Sequence, residues 1–273
     1  MIFAGASIPI IILLSTVREP KRGACDALAE SANDPRPGFR ESLRFMRSQR
    51  SLMHVIAGAT VATFSGSGLV WWTPAFLARS HGFSVGEAGL EIGIMNGLGG
   101  GIAMIAAAFF MLRLAKMNPK WQCHFAAWLT LLASVPAVAA HLVTGRAEVI
   151  LLLWLFVPFV NVMIGPTLGL LQNLARPEMR GFSIAVLLFT ANIANLAIAP
   201  QLIGFVSDVL AAHISDPAQS LRYALAFFGL TGLWGAYHFW AAIRTLPEDL
   251  VRADTVKPAK TAARPSHSID RLI

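Results

Sequence analysis

The sequence predicts an all-α, polytopic membrane protein with about seven transmembrane helices. Hydrophobic residues make up 55% of the chain and charged residues only 14%, a composition outside the range of ordinary soluble domains. A helix needs ~20 apolar residues to cross the hydrocarbon core of a bilayer. Apolar runs of about this length, called segments one to seven below, cover residues 1–17, 51–79, 84–112, 121–143, 147–174, 181–211 and 221–246.

Segment one is the shortest of these runs. Its apolar part, Ile2 to Val17, spans roughly 24 Å at 1.5 Å per residue, less than the ~30 Å hydrocarbon core. We expect a truncated transmembrane helix that begins before Met1.

Residues 18–50 are expected to form a cytoplasmic loop with an amphipathic helix in its second half. Apolar residues recur there at helical spacing, beside a parallel stripe of arginines: Phe39, Leu43 and Met46, with Arg40, Arg44 and Arg47. The apolar face would meet either the lipid boundary or the base of the bundle, and the arginines would meet headgroups. Docking of a protein partner is an alternative.

The distribution of basic residues predicts an orientation. Nineteen of the 22 Lys and Arg residues fall in 18–50, 113–120, 175–181 and the region from Arg244 onward. The opposite face has only Arg79, Arg146 and Arg222. Because basic residues accumulate in cytoplasmic loops, the C-terminus is expected in the cytoplasm, in a bacterial inner membrane. Residues 51–246 would form a six-helix bundle, followed by a disordered cytoplasmic tail, 247–273.

Side-chain amides mark the segments that are expected to face a polar interior. Seven amides lie deep within their segments, all of them on segments three, five and six: Asn96, Asn161, Gln172, Asn173, Asn192, Asn195 and Gln201. None of these seven lies on segments four or seven, which are therefore expected to face lipid. Substrate contacts are predicted at Asn96, Asn161, Gln172, Asn192 and Asn195. Hydrogen bonding between packed helices would account for the same residues equally well.

Segments three and six share runs rich in small residues, seen in Gly97–Gly101 and in Ala191–Pro200. They occupy equivalent places if segments two to four and five to seven are two triplets, an arrangement typical of transporters. Prolines are expected to break helices within the membrane, at Pro74, Pro136, Pro158, Pro166 and Pro200.

Two carboxylates near the start of segment three have different predicted roles. Ser84 and Glu87 have the spacing of a capping box, which explains Glu87. Glu91 lies one turn deeper, where it would contact a substrate or a proton, or remain a solvated interfacial carboxylate.

Catalytic and metal-binding motifs are absent from the sequence, so neither an enzyme nor a cofactor or metal site is predicted. The two cysteines, Cys25 and Cys123, exclude a disulfide framework. Basic residues are spread over four loops rather than one face, which does not favour nucleic-acid binding. The bilayer and a small-molecule substrate are the predicted partners.

Three strings in the chain resemble spinster-like members of the major facilitator superfamily. They are Arg18-Glu19-Pro20-Lys21-Arg22-Gly23, Trp71-Trp72-Thr73-Pro74-Ala75-Phe76-Leu77 with the Ser80–Ser84 passage, and Arg176-Pro177-Glu178-Met179-Arg180-Gly181 with Ala199-Pro200. The resemblance covers most of residues 5–246. It implies the C-terminal half of a twelve-helix transporter, helices seven to twelve plus the end of helix six.

The resemblance also implies a function and a set of loop residues. Transport of a small organic or lipid-like solute by alternating access would follow, with Arg113, Arg176 and Arg180 in loops that change conformation. One departure is Ala107–Arg113, which lacks the family's acidic residue before Arg113. A half would need a separate N-terminal half or self-association to be complete. A non-transporting membrane interaction protein derived from such a half is the alternative.

Overall fold

A computed structural model describes residues 37–118 and 120–254, together with Ile12, Leu13, Ser15 and Thr16. Every regular element in these ranges is helical, which confirms the predicted fold class. Segment one and the first half of the 18–50 loop lie outside the described residues, apart from those four. The chain divides into the units Met1–Pro37 and Gly38–Ile273, and only the second is considered further.

The helices follow the predicted segments closely. Five spans are long and apolar enough to cross a membrane: Arg50–His81, Val85–Leu114, Lys120–Leu142, Arg146–Leu174 and Pro177–Ala211. Segment seven is formed by Ser220–Gly229 and Thr231–Asp254, and the amphipathic helix by Phe39–Ser48. Segment four is one unbroken helix, whereas segments two and five each divide near their middle, at Gly66 and Met163.

Contacts between segment ends define two faces of the bundle. On the arginine-rich face, the Ser51 amide of segment two donates to the Asp249 carboxylate of segment seven over 2.7 Å. On the opposite face, the Arg222 guanidinium of segment seven donates to the carbonyl oxygen of His141 at the end of segment four over 2.7 Å. The segments therefore run antiparallel in sequence order, with alternate ends on each face.

The capping box at the start of segment three is confirmed. The Glu87 amide donates to the Ser84 hydroxyl at 3.2 Å, and the Ser84 amide donates to the Glu87 carboxylate at 2.8 Å. Before this helix the chain turns at Gly82, whose φ of 65° is left-handed and suits glycine.

The amphipathic helix Phe39–Ser48 packs against the base of the bundle. Met46 is buried and belongs to a core cluster with Leu52, Leu174 and Leu246. Phe39 is largely exposed, but its ring meets the edge of Phe182 at a centroid distance of 5.4 Å. Of the two alternatives for this helix, the structure shows contact with the bundle.

The region predicted as a disordered tail from residue 247 needs a correction. The helix that begins at Thr231 continues through Pro247 to Asp254, and Asp249 is only 1% exposed. Low apolar content suggested disorder, but Asp249 contacts the start of segment two, and the helix continues past Pro247. Residues 255–273 lie outside the described ranges.

The expected positions of segments four and seven are also corrected in part. Segment four is as buried as segment two: in each, 44% of an 18-residue apolar stretch is buried. The same fraction is only 17% in segment three and 22% in segment six. Segment seven packs along both two and four, and Ala236, Phe239 and Ala242 are fully buried there. Each still exposes large apolar side chains on its other side, among them Trp128 and Trp234. Lack of amides therefore does not identify the outermost helices.

Helix breaks do not occur where most of the prolines lie. Pro74, Pro136 and Pro158 are inside continuous helices. A proline in a helix removes one backbone hydrogen bond, and packed neighbours can hold the helix together across the gap. Pro200 lies in the first turn after a π-helix, where its missing amide hydrogen costs least.

Candidate substrate site

The two helix breaks line one cavity near the middle of the bundle. Gly66, where segment two divides, and Met163, where segment five divides, both contribute to its wall. The cavity has a volume of about 120 Å³. Ala59 and Leu187 of its wall belong to the core on the arginine-rich side. Ala137 and Phe156 belong to the core on the other side. The cavity thus lies where the two cores meet.

Hydroxyl groups in the cavity wall are already used by their own helices. Thr63 donates to the carbonyl oxygen of Ala59 at 2.7 Å, and Thr167 donates to that of Met163 at 2.7 Å. Ser134 donates to Thr130 in the same manner at 2.8 Å. Because these hydroxyl hydrogens are donated to backbone carbonyl oxygens, they are not available to a solute, and most of the cavity wall is effectively apolar.

Asn161 is the side-chain amide that lines the cavity. Its Nδ2 donates to Oδ1 of Asn96 on segment three over 3.2 Å, and both residues are partly buried. Gly100 makes this approach possible, since a Cβ there would lie 2.5 Å from Asn161 Nδ2. The structure therefore brings together two of the five predicted substrate contacts.

Segments three and six each contain a π-helix near their middle. Asn96 lies in a π-helix, Met95–Gly99, in the middle of segment three. Asn195 lies in a second π-helix, Ile193–Ile198, in the middle of segment six. Because π-helical turns are rare and occur often at functional sites, their shared position in the third and sixth segments supports the two-triplet arrangement.

The other predicted contacts do not line the cavity. Asn192 is exposed and donates to the Leu188 carbonyl oxygen of its own helix at 2.7 Å. Asn195 is partly buried, and its Oδ1 accepts no hydrogen bond within the described ranges. Gln172 is exposed near the arginine-rich end of segment five. Their role in binding substrate stays a prediction, and so does that of Glu91, which is partly buried one turn before Asn96.

Two of the three predicted loop arginines contact neighbouring elements at the base of the bundle. The Arg176 guanidinium lies over the Phe45 ring of the amphipathic helix, 4.5 Å from its centroid. Arg180 Nε donates to the Gln172 carbonyl oxygen at 3.0 Å. Arg113 is exposed at the end of segment three. The first two therefore fix the loop between segments five and six in this state, and their part in a conformational change stays a prediction.

Sequence reasoning missed three polar residues of segment seven. His238 Nδ1 lies 2.9 Å from Nδ1 of His54 on segment two. Asp249 binds the start of segment two, and Arg222 binds the end of segment four. Each is a polar residue in or beside an apolar run, a signal that marks a candidate interhelical contact but does not give its partner.

The chain resembles known transporters over most of its length. Residues 1–199 match the Major Facilitator Superfamily. An MFS-type efflux pump of Mycolicibacterium smegmatis is 29% identical over 244 residues, 89% of this chain and 54% of the pump. Protein spinster homolog 3 of Mus musculus is 24% identical, over 89% of this chain and 51% of the mouse protein.

A solved structure shares the fold. A bacterial homologue of the human lysosomal transporter Spinster, in an inward-facing and unoccupied conformation, superposes with a TM-score of 0.67 at 20% identity. The match covers 88% of this chain and 57% of that structure, and the chain spans about half the length of the curated relatives described above. The family match and the apolar helices together show that the chain is an integral membrane protein of the Major Facilitator Superfamily.

Proposed function

We propose that the chain forms the C-terminal half of a transporter that moves a small organic or lipid-like solute by alternating access. The observation that carries the proposal is the Asn96–Asn161 amide pair, placed beside a cavity that both broken helices line. Transporter sites commonly lie near the bilayer midplane at the interface of two repeats, where discontinuous helices expose polar groups. An apolar cavity with one amide at its wall suits a solute that is mostly apolar.

Low burial of segments three and six supports the assignment to half of a larger transporter. Both carry an asparagine in a π-helix, and both are largely uncovered within the described bundle. Polar groups in a membrane need partners or a water-filled cavity. A second six-helix half, or a second copy of the chain, would cover these faces.

Binding of fluorescent probes by the purified chain tests the site. Ethidium represents small organic solutes, as an efflux pump would carry, and an NBD-labelled lysophospholipid represents lipid-like ones. We expect one probe to bind and Asn161→Ala to weaken its binding severalfold. Asn173→Ala is the matched control, because Asn173 is an exposed amide of the same segment that does not line the cavity. Equal affinity in both variants would exclude Asn161 from the site.

Transport itself is tested in proteoliposomes that contain only this chain. We expect no saturable uptake of the bound probe by the monomeric chain, because alternating access requires two halves that move around a shared site. Saturable uptake by a chain shown to be monomeric would refute the half-transporter proposal.

We further propose that the arginine-rich face is cytoplasmic in a bacterial inner membrane, as the basic residues indicate. In a variant that lacks Cys25, a cysteine introduced at Ser215 should react with an impermeant thiol reagent added outside. A cysteine at Met117 should not. Cys123 is fully buried and can stay in place. The reverse pattern would overturn the orientation.

A further inference from the structure

A concave basic cleft lies where the amphipathic helix, segment two and segment seven meet on the arginine-rich face. Its volume is about 440 Å³. The wall is almost entirely polar and consists of Arg47, Ser48, Arg50, Thr245, Glu248, Asp249 and Arg252. This cleft is separate from the mid-membrane cavity, with which it shares no residue.

One of the two carboxylates in the cleft is already neutralised. Asp249 Oδ2 accepts from the Ser51 amide at 2.7 Å, at the positive end of the segment two helix. Its Oδ1 lies 3.4 Å from an Arg252 nitrogen, which also donates to the Ser48 carbonyl oxygen at 3.2 Å. Asp249 and Arg252 therefore satisfy each other and hold the floor of the cleft.

Arg47 and Arg50 supply the charge that remains. Both are exposed, and neither forms an ion pair with another residue in 37–118 or 120–254. A basic residue at the first position of a helix, as Arg50 is, opposes the helix dipole. Topology explains why arginines gather on this face, but it does not explain why three of them surround one cleft.

We propose that this cleft binds the phosphodiester headgroup of an anionic phospholipid of the phosphatidylglycerol type. Three arginines outnumber two carboxylates by one, which matches the single negative charge of a phosphodiester. Planar guanidinium groups bind phosphate oxygens in pairs. The Glu248 carboxylate at the same wall would accept hydrogen bonds from headgroup hydroxyls. The cleft lies at the start of segment two and the end of segment seven, on the face proposed to be cytoplasmic, so a lipid would reach it with its chains still in the bilayer.

Native mass spectrometry of the purified chain with added phosphatidylglycerol tests this site. Arg47→Gln combined with Arg50→Gln should weaken binding roughly 25-fold, since each basic residue at an anionic surface contributes about a factor of five. The matched control is Arg40→Gln with Arg44→Gln, which removes the same charge from the same helix region outside the cleft. Equal losses in the two double variants, or none in either, would overturn the proposal.

Two further binding measurements distinguish a lipid headgroup from a soluble phosphate ion. Phosphatidylcholine, which carries no net charge, should bind more weakly than phosphatidylglycerol, and inorganic phosphate should not displace the lipid at millimolar concentration. Displacement by inorganic phosphate at concentrations similar to those of the lipid would show a soluble-anion site and overturn the lipid assignment. If the double variant is not monodisperse, Arg47→Lys is used instead. This variant keeps the charge but loses the planar fork, and the proposal requires weaker binding there too.

Discussion

Asn161 on segment five donates a hydrogen bond to Asn96 on segment three, from Nδ2 to Oδ1 over 3.2 Å, inside a bundle that is otherwise mostly apolar. The pair joins segment five to the π-helical turn Met95–Gly99 of segment three. It leaves one hydrogen of the Asn161 amide and both hydrogens of the Asn96 amide for other partners. The contact therefore satisfies the packing role that amides have in membranes, and it also leaves a polar group at the cavity wall.

A double-mutant cycle measures how much of this pair is packing. Asn96→Ala, Asn161→Ala and the double variant should show a coupling free energy of unfolding of about 0.5–2 kcal/mol, the range for interhelical hydrogen bonds in membranes. Unfolding by SDS titration in mixed micelles gives the values. Strict additivity of the two single variants would mean that the hydrogen bond contributes nothing to stability.

Gly100 offers an independent way to break the same contact. A methyl group at this position would lie 2.5 Å from Asn161 Nδ2, so Gly100→Ala should displace the amide and destabilise the chain by about 1–3 kcal/mol. It should also weaken probe binding as Asn161→Ala does. Gly101→Ala is the control, because nothing lies within 4 Å of a Cβ there. If both variants behave alike, the close approach at Gly100 has no functional consequence.

The positions of the membrane helices could be predicted from the sequence, because length and hydrophobicity decide which residues cross a bilayer. The breaks could be predicted only in part. The break at Met163 comes three residues before Pro166, whose ring and missing amide hydrogen remove the helical bond to residue 162. Gly66 interrupts its helix with no proline beside it, whereas Pro74 and Pro136 leave theirs continuous. Whether a helix bends depends on the side chains packed around it, and those contacts join residues that are far apart in the sequence.

The candidate site was predicted only in part for the same reason. Amide content correctly marked Asn96 and Asn161 as polar residues on facing segments, but it gave equal weight to Asn192, which binds its own backbone. Nothing in the sequence indicated that His54 would meet His238 across 2.9 Å. Composition identifies which helices carry polar groups, whereas pairing depends on the rotation of each helix in the bundle.

Arg222 should be important for stability on the face opposite the arginine-rich one. It is 8% exposed, and its guanidinium donates to the carbonyl oxygens of His141, Leu142 and Val143. These include the last carbonyl groups of segment four, which have no partner within the helix. Arg222→Ala should lower the free energy of unfolding by about 3 kcal/mol or more, since charged hydrogen bonds contribute about 1.5–3 kcal/mol each.

A lysine at this position separates charge from geometry. Arg222→Lys keeps the positive charge but cannot reach three carbonyl oxygens with a rigid fork, so it should recover only part of the loss. Arg79→Lys, at an exposed arginine of the same face, is the control and should change stability little. Full recovery with lysine in the SDS titration would show that charge alone is needed.

Asp249 should stabilise the start of segment two from a helix 198 positions away in the sequence. Its carboxylate accepts from the Ser51 amide, one of the backbone donors that a helix leaves free at its N-terminus, and the residue is 1% exposed. Asp249→Ala should cost about 1–2 kcal/mol, as the loss of an N-cap does. Asp249→Asn should cost less, because an amide oxygen can still accept this hydrogen bond. Glu248→Ala, the exposed neighbour, should be close to neutral.

Amide hydrogen exchange provides the local measurement, since exchange at Ser51 and Leu52 should accelerate in Asp249→Ala and not in Glu248→Ala. Unchanged exchange in Asp249→Ala would mean that segment seven does not cap segment two.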